Sequence, residues 1–196
     1  MSPRRLKLSI LVAGLALNAV IVLAWTQLWI TVVLDDGQVL DVAGDVAAPA
    51  VSTLALSGLV LVGALAIAGP VFRVVLGVLQ SLLGATITLS GAIALLAPAA
   101  ASSAVVTAAT GVAGAETVGA LVATATLTAW AWVATAGGVL LVALGVATVA
   151  TARRWPDSSR KYSALRTEPV ESGDPVQDWD TLSSGDDPTD SPSASR

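Results

Sequence analysis

The side chains that could do chemistry in this chain are few, because it contains neither histidine nor cysteine. It therefore lacks the commonest general base and all thiolate metal ligands, and no histidine can activate its many hydroxyls. Four acidic residues follow the first apolar run: Asp35, Asp36, Asp41 and Asp45. Their spacing does not match the D-x-D-x-D-G pattern of a calcium loop and is better explained by a turn. We expect no catalytic residue, no metal site, no cofactor and no enzymatic activity.

Two carboxamides, Asn18 and Gln80, are the most polar side chains within the long apolar runs. Inside a membrane such a group can bond across helices, which is worth on the order of 0.6–2 kcal/mol. This structural role is preferred over a role in a substrate path. The middle of each run lacks an acidic or basic residue, which argues against a proton-coupled carrier but leaves uncoupled transport open.

Composition places these residues in a bilayer, because 55% of the chain is hydrophobic and only 12% is charged. Soluble domains carry about 25% charged residues, and a membrane-spanning helix needs roughly 20 apolar residues. We predict an all-α integral membrane protein with four transmembrane helices in two hairpins and a disordered C-terminal tail. The predicted segments are a basic N-terminus (1–7), span 1 (8–30), an outer loop (31–50), span 2 (51–69), a cytoplasmic turn (70–73), span 3 (74–97), an outer loop or helix extension (98–126), span 4 (127–150), a basic collar (151–166) and an acidic disordered tail (167–196).

Charge predicts the orientation of these spans, because Lys and Arg beside a span favour the cytoplasmic side. Four spans place all ten basic residues on one side, whereas a fifth span within 98–126 would separate them. The residues that carry this argument are Arg4, Arg5, Lys7, Arg73, Arg153, Arg154, Arg160 and Lys161. We therefore expect cytoplasmic termini and contacts with anionic lipid headgroups rather than with nucleic acid. A cleaved signal peptide is the alternative for the first run, but that run is longer than the usual signal core of about 7–15 residues.

Tryptophans are expected at the two membrane–water interfaces, where the apolar ring and the polar N–H both find a suitable environment. The predicted outer ends hold four of them, and one more follows the last span: Trp25, Trp29, Trp130, Trp132 and Trp155. Interface anchoring is preferred over an aromatic ligand cage.

One face of span 3 is made of small residues, at alternating steps of four and three. They are Gly77, Ser81, Gly84, Thr88 and Gly91, and span 4 carries a shorter series with Gly138 and Gly145. Small residues let two helices approach closely in lipid, where burial of apolar surface does not drive association. We expect the span 3 stripe to pack against a neighbouring helix.

Two C-terminal motifs suggest a family. Arg153-Arg154-Trp155-Pro156 is followed by Arg160 and Tyr162, and the tail contains the run Trp179 to Thr189, WDTLSSGDDPT. Together with the tryptophan-bearing end of span 1 and the Arg73 hairpin, the chain resembles the tryptophan-associated transmembrane protein family. These small bacterial membrane proteins are named for their occurrence beside tryptophan-biosynthesis genes. The resemblance implies an inner-membrane location and a link to that pathway, and it implies no catalytic residue.

Two functions remain open. The first is a non-enzymatic accessory or scaffold protein whose tail docks on a cytosolic partner through Trp179 and Leu182, with a passive tail as the alternative. The second is a small transporter or exporter of tryptophan or a related aromatic metabolite. Four spans make a thin monomeric carrier, so this second function favours a homo-oligomer.

Overall fold

The computed structural model describes residues 2–155, which fold mainly into helices. The predicted tail, Arg160, Lys161, Trp179 and Leu182 lie outside the described residues. The elements are α1 (Pro3–Trp25), β1 (Leu28–Leu34), β2 (Val39–Ala43), α2 (Gly44–Ala47), α3 (Ala50–Ile67), α4 (Pro70–Leu96), α5 (Pro98–Ala101), α6 (Ser103–Thr110), α7 (Ala115–Leu121), β3 (Val122–Leu127), α8 (Ala129–Thr151) and a 3-10 turn (Ala152–Arg154).

Four of these helices, α1, α3, α4 and α8, are long and apolar enough to cross a membrane. This confirms the predicted class, a mainly helical protein with four spans. Neighbouring pairs pack in the order α1–α3–α4–α8 and back to α1, so the four helices form a ring around a shared core. We call the end where α1 and α4 begin the arginine end, and the opposite end, where the strands lie, the sheet end. Side chains such as Leu56, Val60 and Leu82 are exposed on the outside, where a bilayer would cover them.

The sheet end differs most from the expectations. The first helix stops at Trp25, and residues 28–30, predicted as the end of span 1, belong to strand β1. Residues 31–50 and 98–126, predicted as loops or a helix extension, supply strands β2 and β3 together with short helices. All three strands pair antiparallel in the order β2–β1–β3. The sequence LWITVVL favours a strand because its β-branched residues fit a pleated surface, and β1 buries Ile30, Val32 and Leu34 on one face.

The turn between the second and third spans is also shorter than predicted. Helix α4 already begins at Pro70, where the ring sets a helical φ and the missing N–H would have no helical partner. The connection is therefore only Ala68 and Gly69, and Arg73 lies in the first turn of α4 rather than in a cytoplasmic loop. From this helical position Arg73 reaches the carbonyl oxygens of Ala68, Ala152 and Trp155.

The closest contact in the bundle joins α4 to α8 through glycines on both helices. A Cβ on Gly84 would lie 2.7 Å from the backbone nitrogen of Val142 and 2.8 Å from the carbonyl oxygen of Gly138. A Cβ on Gly145 would lie 2.6 Å from the carbonyl oxygen of Gly77. The two backbones thus fill the space that side chains would need. The stripe predicted from the sequence lies at this contact, which we call the glycine seam: Gly77, Ser81, Gly84, Thr88 and Gly91 on α4, with Gly138 and Gly145 on α8.

Replacing Gly84 by leucine is expected to destabilise the bundle by about 3 kcal/mol or more, because the new side chain would force the two backbones apart. The matched control is Gly63→Leu, since a Cβ at Gly63 meets nothing within 4 Å. Both changes remove a glycine from a helix, so they share the gain in helix propensity. Unfolding of the two variants in detergent micelles measures the difference. Equal midpoints would contradict a seam held by backbone contact.

Candidate functional site

Arg73 is the most deeply buried charged residue among residues 2–155, with only 2% of its surface exposed. Its Nε donates to the carbonyl oxygen of Ala68 at 2.9 Å. Its Nη1 lies 3.4 Å from the carbonyl oxygens of both Ala152 and Trp155. Ala68 and Ala152 are the residues at which α3 and α8 end, where helices leave acceptors without an intrahelical donor, and Trp155 follows the 3-10 turn after α8. One guanidinium thus joins the α3–α4 turn to the end of the last span.

The indole of Trp155 packs beneath this guanidinium, whose central carbon lies 5.4 Å from the ring centroid. At that distance the cation is attracted to the ring face. The indole Nε1 donates to Oγ1 of Thr151 at 3.2 Å, and only 3% of the residue is exposed. The sequence had suggested that Trp155 anchors at the membrane interface. In the structure its indole is buried and caps the core of the bundle. We call this pair the Arg73–Trp155 clasp.

An apolar layer lies directly inside the clasp. Ile10 and Leu65 form one buried cluster with Trp155, and Leu76 and Leu144 pack against it. Each of the four spans contributes one of these four aliphatic residues. The clasp therefore closes the arginine end over all four helices.

The other basic residues at this end have different surroundings. Lys7 is half-buried, and its Nζ donates to the carbonyl oxygen of Ala66 at 2.7 Å, near the end of α3. Four arginines are exposed, as contact with lipid headgroups would require: Arg4, Arg5, Arg153 and Arg154. Among residues 2–155, the basic residues thus divide into two that satisfy helix ends and four that face outward.

The two predicted amides both lie in the bundle interior. Asn18 is fully buried and its Nδ2 donates to the carbonyl oxygen of Gly14 at 2.8 Å. Gln80 is 2% exposed, and its Nε2 lies 3.6 Å from the point where a Cβ on Gly14 would be. The amides of α1 and α4 thus border the same glycine. Neither Oδ1 of Asn18 nor Nε2 or Oε1 of Gln80 bonds to another group of the described residues.

The tryptophans of the sheet end fall into two groups. Trp29 is completely buried, and its Nε1 donates to the carbonyl oxygen of Ala24 at 2.7 Å. It supports the joint between α1 and β1 from inside the protein rather than from the lipid-facing surface. Trp25 and Trp130 are half-buried, while Trp132 is 60% exposed on α8, a position suited to an interface anchor.

Two shallow grooves flank the exposed face of α8. The groove between α1 and α8 has a volume of about 560 Å³, and the groove between α4 and α8 has about 590 Å³. Ala143 borders both, and their linings are almost wholly apolar. Lipid tails suit such surfaces, so the grooves do not indicate a polar substrate. Among residues 2–155, no three acidic side chains lie close enough together to hold a metal ion.

Sequence reasoning had assigned Arg73 only a topological role and did not predict the clasp. One signal could have revealed it. Arg73 precedes Gly77 by four residues, so it lies on the same helix face as the glycine seam. A charge on that face must point toward α8 rather than toward lipid. Trp155, in the motif that follows α8, is then the aromatic partner at the same end of the bundle.

The chain matches a family of transmembrane proteins, in agreement with its four long apolar helices. The model of the tryptophan-associated transmembrane protein family matches residues 8–189. No curated protein and no solved structure is a match for the chain.

Arg73→Met is expected to destabilise the protein by about 2–3 kcal/mol, because it removes a charged donor from several carbonyls and leaves them buried. Methionine keeps most of the apolar volume. Arg4→Met is the matched control, since it removes the same charge from an exposed position at the same end. Unfolding in detergent reports both variants, and a loss no larger than that of Arg4→Met would contradict the structural role of Arg73.

Proposed function

The chain belongs to the tryptophan-associated transmembrane protein family, and from that premise we propose that this multi-pass membrane protein is a non-enzymatic accessory or scaffold for tryptophan biosynthesis. In this proposal it lies in the bacterial inner membrane with both termini in the cytoplasm. The bundle serves as an anchor, and the segment after Trp155 carries the contacts with a cytosolic partner.

The observation that carries the proposal is the clasp at the point where the chain leaves α8. Trp155 is held by the Arg73 guanidinium, by Thr151 and by a cluster drawn from all four spans. The end of α8, where the carbonyl oxygen of Ala152 also accepts from Arg73, gives the following segment a defined starting point on the bundle. A membrane anchor for a cytosolic partner needs such a defined attachment point. It does not need the histidine or cysteine side chains that many catalytic sites use and that this chain lacks.

The chemistry of the described residues supports an anchor in two further ways. The glycine seam packs α4 and α8 backbone against backbone, an arrangement with little room for sliding. The four exposed arginines lie at the end from which the tail departs, where anionic headgroups would hold that end at the membrane surface. Both features fix the end of the bundle from which the chain continues, without requiring a substrate.

Transport of tryptophan or a related aromatic metabolite is the second candidate. It is favoured by one observation, the unpartnered amide atoms of Asn18 and Gln80 inside the bundle. Polar groups within a membrane are costly and often mark a solute path. This candidate predicts that cells with the protein release labelled tryptophan faster than cells without it, and that Asn18→Leu or Gln80→Leu abolishes the difference. Unchanged release at matched internal pools would contradict transport.

The tail proposal predicts a specific cytosolic partner. A chain that ends at residue 169 is expected to lose this partner, while the membrane bundle remains folded. The sharper variant keeps the tail and replaces its two apolar anchors, Trp179→Ala with Leu182→Ala. Copurification from the native host, quantified for both variants, measures the loss. A partner list that stays the same after both changes would contradict docking through the tail.

The proposed orientation can be tested with single cysteines, because the chain has none of its own. Gln38 is exposed in the β1–β2 turn at the sheet end, and Phe72 is 69% exposed at the arginine end. An impermeant maleimide added to intact cells is expected to label Gln38→Cys and to label Phe72→Cys only after permeabilisation. The reverse pattern would contradict cytoplasmic termini.

A further inference from the structure

Asn18 and Gln80 leave three hydrogen-bonding atoms unused at the centre of the four-helix ring. One N–H₂ group of Gln80 can donate, and the two carboxamide oxygens can accept. Buried polar groups are nearly always satisfied, and leaving one unsatisfied inside a membrane is more costly than in a soluble core that water can reach. These atoms belong to two amides that both neighbour Gly14, Asn18 through its Nδ2 and Gln80 through its Nε2. Three unsatisfied atoms on such a pair indicate that something else bonds there.

The surroundings of the amides define what could bond. Gly14 and Gly58 lie beside them without side chains: a Cβ on Gly58 would collide with Oδ1 of Asn18, and one on Gly14 would approach Nε2 of Gln80. Val62 and Leu144 complete the wall near Gly14 with apolar groups. Both amides are neutral and offer donors as well as acceptors. They suit a small uncharged solute that donates and accepts hydrogen bonds, of which water is the smallest.

Gln80 lies one helical turn inside the layer that the clasp covers, and Asn18 lies two turns inside it. Gln80 follows Leu76 by four residues, about 6 Å along the helix, and Asn18 follows Ile10 by eight, about 12 Å. Leu76 and Ile10 both belong to the cluster around Trp155. From the arginine end inward, the order is therefore the clasp, the aliphatic layer and then the amides.

Trp155 is also placed so that it can move without disturbing a span. Helix α8 ends at Thr151, a 3-10 turn follows, and the backbone of Trp155 is extended. Short 3-10 turns commonly connect a helix end to the next segment, and this turn carries Trp155 outside the span. Its side chain is held by the stack on Arg73 and one hydrogen bond to Thr151, in addition to apolar packing. Rotation about this turn would remove the ring and leave the glycine seam intact.

We propose that Asn18 and Gln80 form an internal site for a small uncharged polar solute, and that Trp155 is the movable plug that closes this site toward the arginine end. The site shares Asn18 and Gln80 with the transport candidate. Its test measures how easily a reagent reaches the site, whereas the transport test measures release of tryptophan, so one hypothesis can fail while the other holds. It does not depend on docking by the tail.

A cysteine at the site measures access directly, because no native cysteine interferes. In Gln80→Cys, the probe is 2-hydroxyethyl methanethiosulfonate, a small uncharged thiol reagent, added to the protein in lipid nanodiscs. We expect slow modification, accelerated at least about tenfold when Trp155→Ala is added, because removal of the plug raises the population of the open form. Ile87→Cys, buried on the same helix among apolar side chains, is the control and is expected to stay unmodified in both backgrounds.

Two results would overturn the proposal. One is an equal rate at position 80 with and without Trp155→Ala, and the other is an acceleration at position 87 as large as that at position 80. A charged trimethylammonium reagent that reacts as fast as the uncharged one would contradict the solute class. Should Trp155→Ala fail to fold, Arg73→Lys keeps the positive charge but removes the planar guanidinium that holds Trp155, and the same acceleration is expected.

A second measurement needs no change at the plug. In the unmodified chain, magnetisation transfer from water to the side-chain N–H₂ of Gln80 is expected by NMR in nanodiscs, because the site admits water as its smallest occupant. Absence of transfer at Gln80, with transfer present at the exposed amide of Gln38, would overturn the site itself.

Discussion

Backbone contact between α4 and α8 is the constraint on which the rest of the described structure depends. Lipid offers no hydrophobic driving force for helix association, so these spans are held by close approach at glycines. The contact of Gly77 with Gly145 and that of Gly84 with Gly138 also fix the register of the two helices. This register places Arg73, one turn before Gly77, beside the end of α8 and Trp155. The seam in the membrane therefore determines the geometry of the clasp at the arginine end.

Buried polar groups have hydrogen-bond partners in some parts of the fold and lack them in others. At the arginine end, Arg73 and Lys7 satisfy carbonyls that helix ends leave without donors. At the sheet end, Trp29 donates to α1 and Oγ1 of Thr128 accepts from the start of α8. The interior amides are different, because atoms of Asn18 and Gln80 have no partner there. Nε1 of Trp25, at the sheet end, also lacks a partner among the described residues. The unsatisfied atoms of the two amides lie between the ends.

The four spans and the small-residue stripe were predictable because both depend on patterns within one segment. Residues 8–25 carry the apolar run of α1, and the spacing of Gly77, Gly84 and Gly91 defines one helix face. The end of α1 was not predictable in this way. Apolar residues continue to Ile30, and the strand they form is stabilised by pairing with β3, as between Thr31 and Thr126, 95 residues apart. Pairing at that distance leaves no signal in a local window.

The partners of single side chains were harder still. Arg73 fits the rule that basic residues mark the cytoplasmic side of the membrane. That rule predicts the side on which a basic residue lies, and it does not predict whether the residue is buried. Trp29 and Trp155 fit the rule for interface anchors, yet both fill cores at the two ends of the bundle. These residues serve the packing of several helices at once. Their type indicates where along the membrane normal they lie, and only the arrangement of the helices determines what they touch.

The central claim is that Arg73 and Trp155 act together to close the bundle and fix the point where the chain leaves it. A double-mutant cycle with Arg73→Met and Trp155→Leu, followed by reversible unfolding in detergent, tests that claim most directly. The account predicts a coupling free energy of about 1 kcal/mol or more, because each change removes the partner of the other. Additive effects within error would contradict it and would reduce the clasp to two independent packing residues.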